Sequence, residues 1–162
     1  MKRFIILAVA LFTAAAVYAQ PRAIGARFGS GLEFSYQHFV RNADFVELDL
    51  GFELPLNQIN GAALDFSATA IYDFVFAQPH WTSKGTWAWY AGPGATIGGQ
   101  VSDGEGSFLI GTGGNIGLSY TFWFPLELSI DHRIMFGFNS RPDHHFYIGG
   151  YLIPNFSVRY RF

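Results

Sequence analysis

Phe156-Ser157-Val158-Arg159-Tyr160-Arg161-Phe162 is the stretch from which the rest of this chain can be read. Apolar side chains occupy Phe156, Val158, Tyr160 and Phe162, and polar ones occupy Ser157, Arg159 and Arg161. Period-two alternation marks a strand with one apolar and one polar face. The strand runs to an aromatic final residue, an ending unusual in a soluble domain because chain ends fray unless something holds them.

The same alternation recurs upstream. Ile24, Ala26 and Phe28 share one parity, and Leu32, Phe34 and Tyr36 share the next. Val46 to Phe52, Leu64 to Phe76, Trp87 to Ile97, Ile110 to Phe122 and Leu126 to Phe138 follow, with a last strand starting near Phe146. The intervening positions are mostly small or charged, and many are glycine. A soluble sandwich buries its apolar face, whereas a membrane barrel turns that face to lipid and encloses the polar one. The long aromatic stripes and the glycine-rich polar parity favour the barrel.

Composition agrees. Half of the 162 residues are apolar, 19% are aromatic and only 14% are charged, against a usual share of about 25%. After the N-terminal segment no run reaches the roughly 18 apolar residues that a spanning helix needs. Cysteine is absent, which excludes disulfides, thiolate metal sites and an N-terminal lipidated cysteine. Twelve acids stand against ten Lys and Arg, so no basic surface points to nucleic acid.

Lys2 and Arg3 precede an apolar stretch from Phe4 to Val17, and Val17-Tyr18-Ala19 fits a small-x-small cleavage site. Residues 1–19 are therefore expected to be a secretory signal peptide cut after Ala19, with 20–162 as one barrel domain. Spanning strands take about 9–11 residues each, so the mature chain accommodates eight but not sixteen. Residues 24–38 read as one strand would give seven and part the two ends. A tight turn at Gly29-Ser30-Gly31 restores an even number. The expected fold is all-β, an eight-stranded antiparallel up-and-down transmembrane barrel.

With both ends in the periplasm, the turns at Val40–Asp44, Gln78–Gly85 and Trp123–Pro125 lie inside. Those at Gly29–Gly31, Pro55–Gly61, Val101–Gly106 and Asn139–His145 lie outside. Aromatic residues should then gather at the inner interface. Tyr36, Phe45, Tyr72, Phe74, Phe76, Tyr120, Phe122, Tyr160 and Phe162 fall there. So do Trp81, Trp87, Trp89 and Trp123, the expected aromatic girdle.

The segments Pro21-Arg-Ala-Ile-Gly-Ala-Arg-Phe-Gly29, Trp89-Tyr-Ala-Gly-Pro-Gly-Ala95, Gly117 to Arg133 and Ser157-Val-Arg-Tyr-Arg-Phe162 carry a resemblance across the mature chain. The sequence resembles the small eight-stranded outer-membrane barrels of the OmpA/OmpX type, including the short barrel proteins of Bacteroidetes-like bacteria. The resemblance implies the outer membrane of a Gram-negative cell, lipid and lipopolysaccharide as surroundings, and periplasmic chaperones during transit. It also implies that the barrel-assembly machinery reads Phe156, Val158, Tyr160 and Phe162 as an assembly signal, and that the final strand closes against the first. It is informative about architecture and poor about role, since such barrels serve structural, adhesive and other ends.

The inward parity holds Arg27, Glu33, Glu47, Asp49, Glu127, Asp131, Arg133, Arg159 and Arg161, together with Glu53, Asp65 and Asp73. An eight-stranded interior is only wide enough for its own side chains, so these charges are expected to pair into a salt-bridge plug. A narrow ion path is the alternative. His132 lies on the lipid-facing parity, which raises a lipid-modifying enzyme as a second alternative, but its neighbours on that face are apolar and offer no catalytic partner. His144 and His145 beside Asp143 are adjacent and so point apart, a poor metal site. Gly111-x-Gly113 lacks the third glycine and the helix of a phosphate-binding loop. Neither cofactor nor metal is expected. The function expected is a non-enzymatic outer-membrane barrel in envelope structure or surface interaction.

Overall fold

The computed structural model describes residues 21–29, 31–41, 43–53, 64–102, 105–140, 146–149 and 153–162. The expected turn at Pro55–Gly61, most of that at Asn139–His145, the side chains of Glu53 and Asp65, and residues 1–20 lie outside the described set. Strands run β1 Arg22–Phe28, β2 Gly31–Arg41, β3 Asp44–Glu53, β4 Leu64–Ala77, β5 Thr86–Ser102, β6 Glu105–Thr121, β7 Leu126–Asn139, β8 Phe146–Gly149 and β9 Asn155–Arg161. Each of β1 to β7 pairs antiparallel with the next. The ring closes because β9 pairs with both β7 and β1.

β8 and β9 are two pieces of one wall strand. Both run antiparallel to β7, giving a closed eight-stranded up-and-down barrel. The last wall strand starts at Phe146, as the sequence leads one to expect, and its pairing with β7 is interrupted between Gly149 and Asn155. Met135 faces Gly149 while Asp131 faces Asn155, so six steps on one strand oppose four on its neighbour. Pro154 lies in the break, and a proline has no N–H to give to a ladder.

Closure also fixes the stagger. The pairing runs from Phe28 through Leu32, Phe52, Phe66, Gly99 and Phe108 to Ser140, the residue that follows β7. In the other direction Phe28 faces Phe156, and Phe156 faces Ile130 of β7. The register is thus displaced by ten residues in one circuit. Such a stagger tilts the strands by roughly 35–45° to the barrel axis.

The first hairpin turns at Gly29–Gly31, with Phe28 opposite Leu32. The β5–β6 hairpin is longer than its expected turn at Val101–Gly106 allows, because pairing continues to Ser102 opposite Glu105. Between β4 and β5 the chain reverses through Gly85 at φ 74°, a left-handed conformation that suits glycine. A Cβ there would come within 2.6 Å of the Thr121 carbonyl oxygen.

Apolar and polar residues are placed opposite to the arrangement of a soluble domain. Among the described residues, 28 large apolar side chains are exposed, including Leu50 at 59%, Phe52 at 58% and Phe138 at 65%. Buried polar or charged residues number 17, against five buried hydrophobic ones. The hydrophobic effect in water cannot produce this arrangement, since it would leave the apolar area wet while desolvating charge.

Candidate functional site

The interior is organised by four arginines, and alternation aims all of them inward from three strands: Arg27 on β1, Arg133 on β7, and Arg159 and Arg161 on β9. Their acids come from β2 (Glu33), β3 (Glu47, Asp49) and β7 (Glu127, Asp131). Arg27 donates to Glu33 at 2.6 Å and pairs with Asp131. Arg133 reaches Glu33 at 3.2 Å and Glu47 at 3.0 Å, and also binds Asp49. Arg159 meets Glu47 at 2.8 Å and Glu127 at 3.7 Å, and Arg161 meets Glu127 at 3.4 Å. All nine residues are therefore linked in one continuous chain of ion pairs.

Neutral groups complete it. Arg159 donates Nε–H to Ser35 Oγ at 2.9 Å and Nη1–H to Ser129 Oγ at 2.8 Å. Gln37 donates to Glu47 at 2.8 Å, Asn155 to Asp131 at 3.3 Å and Thr121 to Glu127 at 3.3 Å. These neutral partners share the inward parity of the charged residues, which is the signal by which sequence reasoning finds them. A buried guanidinium or carboxylate is tolerable only when its hydrogen-bonding positions are filled, and this arrangement fills most of them.

The opposite wall contributes little charge. Asp73 is buried on β4, outside the network, and neither of its carboxylate oxygens has a hydrogen-bond partner among the described residues. Tyr90 is fully buried and crosses the interior toward Asp131, with its hydroxyl 3.5 Å from Oδ2. A Cβ at Gly117 would overlap the Tyr90 ring and lie 2.7 Å from Asp131 Cβ, so the missing side chain makes room for both. Phe45 corrects an expectation. It does not join an outer aromatic belt, because it shares the parity of Glu47 and Asp49. It is buried, with ring centroids 5.3 Å from Tyr90 and 5.4 Å from Phe39.

On the outer wall, Trp81 lies 5.4 Å from Trp87 and 6.5 Å from Trp89, and Trp87 lies 4.6 Å from Tyr120. Tyr120 touches Phe122, which touches Trp123, and Lys84 Nζ sits 5.5 Å over the Trp123 ring. The four tryptophans thus form one arc beside the β4–β5 and β6–β7 turns. His132 pairs in register with Ile116 on the outward parity. Residues 141–145, with His144 and His145, are outside the described set. Among the described residues no group of three or more His, Asp or Glu side chains is arranged to hold a metal.

The sequence matches no protein-family model and no curated protein. Among solved structures it is similar to Neisserial surface protein A (NspA), seen in a crystal structure, with a TM-score of 0.49 and 14% identity. The match covers 87% of this chain and 90% of that one.

Proposed function

We propose that this chain is an integral outer-membrane barrel of a Gram-negative envelope, non-enzymatic, with a structural or surface-interaction role. Its interior is closed by its own ion pairs. One observation carries the reading: large apolar side chains cover the outside while arginines and carboxylates are enclosed. Hydrocarbon is the solvent in which that arrangement is stable, and a closed barrel leaves no strand edge unsatisfied there. The likeness to OmpA/OmpX-type barrels, the export signal cut after Ala19 and the assembly role of Phe156, Val158, Tyr160 and Phe162 belong to the same reading. So do lipid and lipopolysaccharide as its surroundings, and chaperones and assembly machinery as its transient partners. Trp81, Trp87, Trp89 and Trp123 act as the girdle at the periplasmic interface, where indole rings favour the boundary.

β5 and β6 each have 17 residues, about 55 Å at roughly 3.3 Å per residue. Even tilted, they exceed an apolar band about 25 Å tall, so their hairpin is the part that reaches the cell surface. The continuous ion-pair chain favours a plugged interior over an ion path.

Two measurements test the reading. The unboiled protein in detergent should migrate on a gel as a compact species that shifts on heating. A freely water-soluble monomer would end the proposal. The cysteine-free chain also permits labelling by a membrane-impermeant thiol reagent. A cysteine at Gly106, where a Cβ meets nothing within 4 Å, should react in intact cells. A cysteine at Lys84 should react only after the outer membrane is opened. The reverse pattern would invert the topology.

A further inference from the structure

The turn-side mouth of the lumen holds a cavity of about 230 Å³ that the ion-pair network does not fill. Its walls divide by chemistry. Phe39, Phe45, Val75 and Ala88 supply apolar lining from β2 to β5, where Gln78 and Thr86 also line it, and Thr121, Glu127 and Arg161 make the other side polar. Arg161 is the most exposed arginine of the network, with a quarter of its side chain accessible. Its Nη1 donates to Thr121 Oγ1 at 2.7 Å and faces Glu127, and its guanidinium lies 4.4 Å over the Phe39 ring. The Arg161 contacts to Thr121 and Glu127 both use Nη1, and Nε and Nη2 form the other edge of the guanidinium. Among the described residues Glu127 is the one acid paired with Arg161, at 3.4 Å, and it also stands 3.7 Å from Arg159, whose nearer carboxylate is Glu47 at 2.8 Å.

We propose that this cavity is a binding site for a small carboxylate with a short apolar body. The carboxylate takes the Nε and Nη2 edge of Arg161, because a guanidinium fork matches a carboxylate in two parallel hydrogen bonds. The body lies against Phe39, Phe45, Val75 and Ala88. At roughly 30 Å³ per water-sized group the volume holds about eight non-hydrogen atoms, the size of hexanoate. Phe45, which lines the cavity, is backed by Tyr90 in edge contact at 5.3 Å. The site depends on the cavity and its charge alone, and it holds whichever face of the membrane the mouth meets.

The test uses the full barrel in lipid nanodiscs, titrated with hexanoate and separately with hexan-1-ol. The NMR signal of the Arg161 Nε–H is followed, identified by its loss in Arg161→Gln. Hexanoate should give a saturable shift at Arg161 and at the Ala88 and Thr121 amides. Hexan-1-ol, equally apolar and uncharged, should bind at least tenfold more weakly. Ala88→Leu, which fills the apolar side without touching a charge, should weaken hexanoate at least tenfold while the Arg161 signal stays in place. Equal responses to the two guests, a shift that never saturates, or unchanged binding in Ala88→Leu would overturn the proposal. The hexanoate and hexanol comparison and Ala88→Leu keep it testable if Arg161→Gln does not fold.

Discussion

The two halves of the barrel wall send different chemistry inward. From β7 through β9 to β3 the interior side chains are long and charged, and they include every member of the ion-pair chain. From β4 to β6 they are small: Thr69 and Thr96, which share a hydrogen bond at 2.9 Å, Ser119, and a run of glycines. Tyr90 and Ile71 are the large exceptions, and Asp73 is the charged one. An eight-stranded lumen has a fixed cross-section, so guanidiniums reaching across from one wall need a thin wall opposite. At Gly117 the two halves meet, because the missing side chain leaves room for Tyr90 and for Asp131 of the charged half.

That comparison can be broken or sharpened by substitution, with stability read from urea titration in lipid vesicles. Arg159→Met should be the most damaging change. It takes one of two arginines from Glu47 and leaves Glu127 with Arg161 as its one cation among the described residues, and one-sided removal from a buried network costs about 3–5 kcal/mol. A loss below about 1 kcal/mol would mean that water replaces the arginine and the interior is wetter than a plug. Leu50→Arg tests the outside of the same charged half and should cost about 2–4 kcal/mol at mid-bilayer depth. No loss there would invert the two faces.

Gly117→Val addresses the thin wall. The added side chain meets Tyr90 and Asp131, and overpacking of this kind costs about 1–3 kcal/mol. Combined with Tyr90→Ala, its cost should be less than additive, because the second change removes the obstruction. Additive losses would show that the glycine serves the backbone instead of the tyrosine. Asp73→Asn should have the smallest effect, neutral or stabilising by about 1 kcal/mol, since it replaces a buried carboxyl whose oxygens have no hydrogen-bond partner among the described residues. A clear loss would reveal that Asp73 has a partner and that the glycine half carries its own polar device.

Much of the architecture was legible because a strand's period of two is independent of its tertiary context. The parity of Leu48, Leu50 and Phe52 against Glu47 and Asp49 sorts outside from inside without coordinates. The turn at Gly29–Gly31 followed from glycine chemistry and the need for an even strand number. Other features depend on register, which alternation leaves open. Which acid meets which arginine depends on the ten-residue stagger, as when Arg133 of β7 reaches Glu47 and Asp49 of β3 across the lumen. Phe45 was placed by its height near a strand end, although its parity already pointed inward. The break before Asn155 had a local cue in Pro154, but its two-residue slip is visible only against β7. The mouth cavity draws Phe39 and Arg161 from β2 and β9, strands on either side of β1, and no single segment announces it.

The placement of Arg159 and Arg161 on β9 also sets an order of events. β9 is the strand that seals the ring against β1, so before it docks Glu47 has lost one of its two cations and Glu127 both. Neutralising the interior and joining the seam are therefore one step. Without the sealing strand the network holds the guanidiniums of Arg27 and Arg133 alone against its carboxylates, and the strand adds those of Arg159 and Arg161. A closure out of register would part Glu47 and Glu127 from Arg159 and Arg161.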